Sequence, residues 1–221
     1  MRLRMGIRVC FKRCFKYSVL VLSVGFVASA MLPLTPRDDL VEMLLDKSSR
    51  SPVSVLIDYD YPIHMRRLWV IARKDGYRHD GKTYRRGGVV MNTWVSHALR
   101  SGLITATYFS NVKDSMLSSR GLMKTHLQTH DSRRHGAPAL RVDGLSPQLN
   151  SAVRKRHIIF HKSYSPVSAG CFQSLPSINE RLTKLIAGGS LLYVHKSNAI
   201  DVKRPPRFID WRSYFDALDS S

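Results

Sequence analysis

The chain has 221 residues, of which 43% are hydrophobic, and it carries 35 Lys and Arg against 16 Asp and Glu, a formal charge of +19. This length allows one domain of ordinary size with a real hydrophobic core plus an N-terminal extension, and the absence of an internal repeat excludes a repeat protein. The charge favours an anionic partner, whether nucleic acid, acidic lipid or a cell-wall polymer, and does not distinguish among the three.

The first thirty residues have the pattern of a secretory signal peptide. Six basic residues and no acidic one lie in 1–16, which leaves +13 on the rest once these six are subtracted from +19. An apolar run over 17–27 follows, and the Ala-Ser-Ala of 28–30 is a small-x-small cleavage pattern. The alternative is an uncleaved anchor, because weakly apolar residues continue to Leu34. Both interpretations predict an exported protein.

Cysteine is not used here as a structural cross-link. Cys10 and Cys14 lie in the predicted signal segment, so Cys171 is the one thiol in the exported part and no internal disulfide is available to it. A lone thiol is either a small buried hydrophobe or a nucleophile. Its position after a glycine, in a loop with a histidine at the other end, favours the nucleophile.

The predicted elements are mostly strands. A helix is expected to begin with Thr35 as its N-cap and Pro36 as its first residue. A polar connector is expected to follow the helix. Turn signals separate the apolar runs, and the segment 96–144 is expected to form loops and hairpins that wall a cleft. Strands are predicted at 53–60, 67–73, 88–95, 156–161 and 190–195, with a second helix at 175–187. The predicted domain plan is a signal peptide or anchor (1–30), an N-terminal helix and connector (31–52), a catalytic domain (53–197) and a tail (198–221).

The stretch 156–173 has the pattern of a reactive centre. A short apolar β-branched run ends at His161, a polar loop with Pro166 follows, and the loop closes on Cys171 after small residues. A thiol must lose its proton to attack a carbonyl, and a neighbouring imidazole is the usual base near neutral pH. Backbone N–H groups around Gly170 are available to a developing oxyanion. The stretch therefore predicts Cys171 as nucleophile and His161 as its base.

Several short motifs, taken in order, resemble the L,D-transpeptidases of bacterial cell walls, the YkuD-type fold, and specifically the murein L,D-transpeptidase catalytic domain branch. Each motif alone is weak, whereas the ordered set is specific. The motifs are 57–62 (Ile-Asp-Tyr-Asp-Tyr-Pro), 67–71 (Arg-Leu-Trp-Val-Ile), 109–112 (Phe-Ser-Asn-Val), 118–121 (Ser-Ser-Arg-Gly), 140–145 (Leu-Arg-Val-Asp-Gly-Leu), 156–161 (Arg-His-Ile-Ile-Phe-His), Ser168-x-Gly170-Cys171 and 189–193 (Gly-Ser-Leu-Leu-Tyr).

The resemblance implies a mostly β protein with a few helices, a YkuD-like β-sandwich with a catalytic cleft. The implied reaction is attack of a thiol on a diaminopimelyl carbonyl of a peptidoglycan stem peptide, release of D-alanine and transfer to an acceptor amine, with no metal or nucleotide cofactor. Carried over by residue, Cys171 is the nucleophile and His161 the base, oriented by a backbone carbonyl such as that of Lys162. The N–H groups of Gly170 and Cys171 are candidate oxyanion donors, and Ser168 and Lys162 line the site.

Some residues depart from the family's usual pattern. Lys162 stands where the family usually has Gly, Ala169 where it has His or Trp, and Phe172-Gln173 where it has a small residue followed by a polar or basic one. These changes affect how the site positions the substrate around Cys171 and His161. Two alternatives therefore stand beside the transferase: an L,D-carboxypeptidase, with water as acceptor, and a catalytically silent wall-binding module. The resemblance places the exported protein in the periplasm or on the outer face of the bacterial inner membrane.

Other chemistry-bearing residues are less well supported as sites. His126, His130 and His135 have a metal-like spacing, but no glutamate lies between them and their flanks lack a helical pattern. His157 is predicted to share a strand face with His161 and to pack or hydrogen-bond. Paired arginines are spread along the chain without interleaved aromatics. We therefore expect stem peptides and an anionic wall or membrane surface as partners, and no nucleic acid.

Overall fold

The computed structural model describes residues 35–132 and 134–203; the predicted signal segment and most of the tail lie outside them. The helices are α1 (Asp38–Leu45), α2 (Pro147–Asn150) and α3 (Pro176–Ile186), with a 3-10 turn at Leu99–Ser101. The strands are β1 (Val53–Asp58), β2 (Leu68–Ala72), β3 (Tyr77–His79), β4 (Lys82–Tyr84), β5 (Val89–Thr93), β6 (His97–Ala98), β7 (Tyr108–Phe109), β8 (Gly121–Thr125), β9 (His130–Ser132), β10 (Gly136–Gly144), β11 (Ile159–Lys162), β12 (Val167–Ser168), β13 (Phe172–Ser174), β14 (Leu191–His195) and β15 (Ile200–Asp201).

One mixed sheet of nine strands dominates the described residues, which confirms the predicted mostly β fold. Eight strands follow the order β13-β11-β10-β8-β14-β1-β2-β5, and β9 pairs with β10. The β1·β14 and β11·β13 pairs are parallel, and the others along this path are antiparallel. Because β11 and β13 run parallel, the chain must cross between them, and the crossing loop carries the stretch predicted to be reactive.

Alternate residues of β1 and β2 point to opposite faces of the sheet, and both faces are covered. On one face, Val55 and Val70 pack in a large cluster that also includes Leu182 of α3. On the other face, Leu56 and Trp69 pack with residues of α1 in a smaller cluster. A strand buried on both sides needs a continuous apolar run, and the six residues of β1 are all buried.

The prediction of loops and hairpins over 96–144 is wrong in its second half. β8 and β10 are interior strands of the large sheet, and Met123, Leu140 and Val142 are buried in its core. Lys124 and Arg141 lie between these apolar residues and are exposed. A strand with one solvated face has polar residues at alternate positions. In the sequence, these polar residues made β8 and β10 resemble loops.

The predicted start of α1 is also wrong. The helix begins at Asp38, and Arg37 holds the N-cap position with extended backbone and no side-chain cap. The Arg37 guanidinium instead pairs with the carboxylate of Asp39 at 2.8 Å. Asp38 and Asp39 occupy the first turn, where the positive end of the helix dipole favours acidic side chains. Among residues 35–132 and 134–203, no helix is long and apolar enough to cross a membrane.

A buried arginine network supports the strand that borders the reactive loop. Arg67 is fully buried, and it donates to the carbonyls of Val95 and Tyr61 and to Nδ1 of His97 at 2.8 Å. The other ring nitrogen of His97 lies 2.7 Å from the Gly102 carbonyl. His97 lies in β6, which pairs in parallel with β12 in the crossing loop. The core is thus linked to the loop through a neutral imidazole.

Candidate functional site

The parallel pair β11·β13 sets which side chains can meet at the site. Phe160 pairs with Phe172, and their rings stack in the core with centroids 4.8 Å apart. The next pair, His161 with Gln173, therefore projects from the opposite face of the sheet. Cys171 immediately precedes β13, at the end of the loop that crosses from β11. The parallel pairing thus brings the loop end that carries the predicted nucleophile next to the strand that carries the predicted base.

The Cys171 thiol is partly buried and protonated in the arrangement seen. Its sulfur donates to the carbonyl of His157 at 3.7 Å. Burial raises the pKa of the thiol, while the Ile159 amide and the charges of Arg156 and Arg134 act in the opposite direction. Since the raised pKa leaves little thiolate at neutral pH, the thiol needs a base to become a nucleophile.

His161 has the tautomer that a general base requires. Its Nδ1 lies 3.0 Å from the carbonyl oxygen of Lys162. A carbonyl can only accept, so the ring proton sits on Nδ1 and Nε2 keeps its lone pair. Burial lowers the pKa of His161, and the nearby His135 acts in the same direction. The ring is therefore neutral at neutral pH, with Nε2 able to take a proton.

No hydrogen bond joins Cys171 to His161 within the described residues. The register explains this, because Gln173, and not Cys171, stands directly opposite His161. The amide nitrogen of Gln173 lies 3.5 Å from Nε2 of His161. Acid–base contacts of this kind are often long without substrate and tighten in the complex. Cys171 and His161 each adjoin, along the chain, one member of the paired Phe160 and Phe172.

The backbone around the thiol is held by two serines. Ser168 Oγ donates to the Cys171 carbonyl at 2.7 Å and accepts from the Gly170 N–H at 3.1 Å. Ser96 Oγ bonds the same Cys171 carbonyl at 3.3 Å and accepts from the Gln173 N–H at 3.0 Å. Ser168 thus braces the loop, and the Gly170 N–H must leave its serine partner to receive an oxyanion.

Glycine is required before the nucleophile for steric reasons. Gly170 has φ +126°, and a Cβ there would lie 3.0 Å from both the Leu117 carbonyl oxygen and Ile158 Cδ1. The backbone of this position therefore packs directly against two other segments. A side chain would push the thiol out of place.

Of two sequence-based expectations at the site, the one for the Lys162 carbonyl agrees with the structure and the one for His157 does not. Lys162 contributes its carbonyl to His161, while its ammonium extends towards Gly136, where a Cβ would lie 3.5 Å from Nζ. His157 was expected on the strand face of His161, and this is wrong. It precedes β11, is exposed, and has φ +55° in a turn. Its carbonyl accepts the thiol proton, so the residue meets the site through its backbone.

His135 is a site neighbour that the sequence did not indicate. Its ring stacks on His161 with centroids 3.9 Å apart and an interplanar angle of 26°. It comes from the turn between β9 and β10, 26 positions before His161. No sequence pattern links this turn to His161. The two histidines come together because β10 pairs with β11.

Among the described residues, His126, His130 and His135, which have a metal-like spacing in the sequence, do not form a ligand group. His126 lies 3.2 Å from an Asp143 oxygen and 2.7 Å from an Arg154 nitrogen. The one group with metal-ligand geometry in the described residues is Asp58, Asp60 and His195.

The group of Asp58, Asp60 and His195 lies beside two positively charged side chains. Lys196 Nζ lies 2.8 Å from Asp60, and an Arg37 nitrogen lies 3.3 Å from the ring nitrogen of His195 and 3.7 Å from Asp60. Because both positive side chains pair with Asp60, this carboxylate is the centre of an ion-pair cluster that ties the start of α1 to the ends of β1 and β14.

Residues 40–195 match the model of a family described as L,D-transpeptidase catalytic domain. The chain belongs to this family. The resemblance drawn from the ordered motifs is thereby confirmed over the same span, and the reactive loop lies inside it. No curated protein matches the chain.

The chain is similar to several solved L,D-transpeptidases at low identity. The enzyme from Xylanimonas cellulosilytica is 17% identical, with 74% of this chain and 65% of that chain covered and a TM-score of 0.39. The one from Stackebrandtia nassauensis is 17% identical, with 71% and 65% covered and a TM-score of 0.36. The one from Mycobacterium smegmatis is 15% identical, with 66% and 59% covered and a TM-score of 0.36. This chain spans less than two thirds of each of these solved chains.

Proposed function

We propose that this member of the L,D-transpeptidase family is an exported cysteine acyl-transferase that acts on peptidoglycan stem peptides. The observation that supports the proposal is the parallel pairing of β11 with β13, which brings the loop end that carries Cys171 next to the strand that carries His161. Cys171 is the one cysteine beyond the N-terminal segment, and His161 presents an unprotonated Nε2 because its Nδ1 is held by Lys162. A thiol with a neutral imidazole nearby is the minimum apparatus for thioester chemistry.

In the proposed acylation, His161 Nε2 takes the thiol proton as the sulfur bonds to the stem-peptide carbonyl carbon. The carbonyl oxygen becomes an oxyanion, for which the Cys171 N–H, and the Gly170 N–H once released from Ser168, are candidate donors. Collapse breaks the C–N bond, and the imidazolium returns its proton to the departing D-alanine amine. The product is a thioester on Cys171 and a neutral His161.

In the proposed second half, an acceptor amine attacks the thioester. His161 takes the amine proton, the new C–N bond forms, and the C–S bond breaks to give a thiolate that regains the proton from His161. Water in place of the amine gives an L,D-carboxypeptidase. The same residues serve both reactions, so the acceptor alone separates them.

A catalytically silent wall-binding module is the other candidate. It is favoured by Lys162 and Ala169, which replace usual family residues, and by the thiol bonding to His157 in preference to His161. The basic surface, with +13 outside the first sixteen residues, suits an anionic wall or membrane under either function.

Mass spectrometry of the full chain incubated with a disaccharide-tetrapeptide tests the function. We expect the mass of Cys171 peptides to increase by an acyl group, with release of D-alanine and appearance of a cross-linked dimer. A trimmed tripeptide without dimer would assign the carboxypeptidase. Retention of the peptide without adduct, tripeptide or dimer would leave the wall-binding module.

We also propose that residues 1–30 direct export, cleaved or as an anchor. The support is the basic, apolar and small-residue order of this segment. Fusing residues 1–36 to a reporter that is active only outside the cytoplasm should give activity, with processing after Ala30 if the signal is cleaved. An active, unprocessed fusion would show an anchor. An inactive fusion would contradict export and with it a wall substrate.

A further inference from the structure

Arg156 binds only neutral groups, as Arg67 and Arg73 do, whereas five other described arginines pair with carboxylates. Its guanidinium donates to the carbonyls of Ser110 and Leu117 and, at 2.7 Å, to Ser119 Oγ. All three acceptors are neutral. Among residues 35–132 and 134–203, no carboxylate lies within ion-pair distance of it. Arg154, two positions earlier, pairs with Asp143 at 2.9 Å.

This unpaired charge lies against the nucleophile's loop. A guanidinium nitrogen of Arg156 is 3.3 Å from the position that a Cβ would take on Gly170, the residue before Cys171. The same nitrogen binds the Leu117 carbonyl, which also abuts Gly170. The fork of the arginine is therefore held in place by these three neutral acceptors.

A partly buried cation without a counter-ion is unfavourable, and the one anionic group that acts on the pKa of Arg156 is the Cys171 thiolate. Burial lowers the pKa of Arg156, and the charge of the Cys171 thiolate is what raises it. The interaction is reciprocal, so the guanidinium stabilises the thiolate by as much as the thiolate stabilises the guanidinium. Formation of the Cys171 thiolate would therefore supply the negative charge that the Arg156 guanidinium lacks among the described residues.

We propose that Arg156 is a positioning residue that holds a fixed positive charge beside Cys171 and thereby stabilises the thiolate. The proposal rests on the nucleophilic function proposed for Cys171. It assigns the guanidinium an electrostatic effect in addition to its bracing of the loop. The other ionisable group that acts on the thiol is Arg134, from the turn between β9 and β10.

The pH dependence of iodoacetamide alkylation of Cys171, followed in its own peptide by mass spectrometry of the full chain, tests this effect. Arg156→Gln should move the midpoint to higher pH and lower the rate constant at pH 7 about 10-fold. Arg156→Lys, which keeps a charge, should retain most of the wild-type rate. Arg154→Gln is the matched control, and its rate should stay within about twofold of wild type because its charge faces Asp143.

A folded Arg156→Gln protein with an unchanged midpoint would show that Arg156 only braces the loop and would overturn the proposal. Should Arg156→Gln fail to fold, Arg156→Met, which is uncharged and of similar length, is measured in its place: a midpoint shifted to higher pH supports the electrostatic effect, and a wild-type midpoint overturns it. The assay uses no stem peptide. A failure of the proposed function, seen as no acyl adduct, is therefore distinguishable from a failure of this inference.

Discussion

Replacing the thiol should abolish acyl transfer while leaving the fold intact. Cys171→Ser is expected to lower turnover of a disaccharide-tetrapeptide by about 10³-fold or more, because a hydroxyl is a much weaker nucleophile unless the site is built to activate it. The sulfur makes one long hydrogen bond, to the His157 carbonyl at 3.7 Å, and a serine hydroxyl can donate to the same oxygen. Product formation and the urea midpoint would be measured together.

The base is tested in the same assay with His161→Ala. Loss of a general base lowers turnover by about 10²–10⁴-fold. His79→Gln is the matched control, because His79 lies in the separate β3·β4 hairpin beside Asp80. Full activity of Cys171→Ser, or equal losses in His161→Ala and His79→Gln, would contradict the assignment of nucleophile and base.

Acid should destabilise the protein through His97. Burial, reinforced by the charge of Arg67, lowers the pKa of His97 from 6.5 to about 4. The unfolded chain therefore binds a proton that the folded chain does not between these two pH values. Stability contributed by neutral His97 is complete above pH 6.5, falls as pH drops towards about 4, and changes no further below it. The loss is on the order of 3 kcal/mol.

His97→Gln isolates this contribution from the other histidines and the carboxylates. A glutamine can accept from Arg67 and donate to the Gly102 carbonyl, as the imidazole does, but it does not titrate. Urea unfolding at pH 7 and pH 5 should show a smaller drop in the free energy of unfolding for the variant. An equal drop in both proteins would mean that His97 titrates normally in the folded state.

Elements with strong local patterns were predicted from the sequence. The continuous apolar runs of β1, β2 and β14 and the amphipathic pattern of α3 reappear within a few residues of their predicted bounds. Elements whose stability comes from neighbours were missed. β8 and β10 have alternating polar residues that resemble turns, and they become interior strands only because β14 and β11 flank them.

The residues of the site also include some that the sequence predicted and some that it did not. Cys171, His161 and the glycine between loop and thiol lie in one stretch, so their spacing was visible in the chain and their chemistry followed from residue type. The proposed functions of these residues remain predictions. Partners from distant segments were not visible, because no local pattern links the His135 turn to His161 or Ser110 and Leu117 to Arg156.

The sequence by itself determined the family, the mostly β content and the one thiol beyond the N-terminal segment, since each depends on residue identity and order. Tertiary structure decided which atoms face one another. The register of β11 against β13 sets Gln173, not Cys171, opposite His161. The packing of Gly170 against Leu117 places an unpaired guanidinium beside the thiol. These relations depend on distances between strands far apart in the chain, which residue order does not fix.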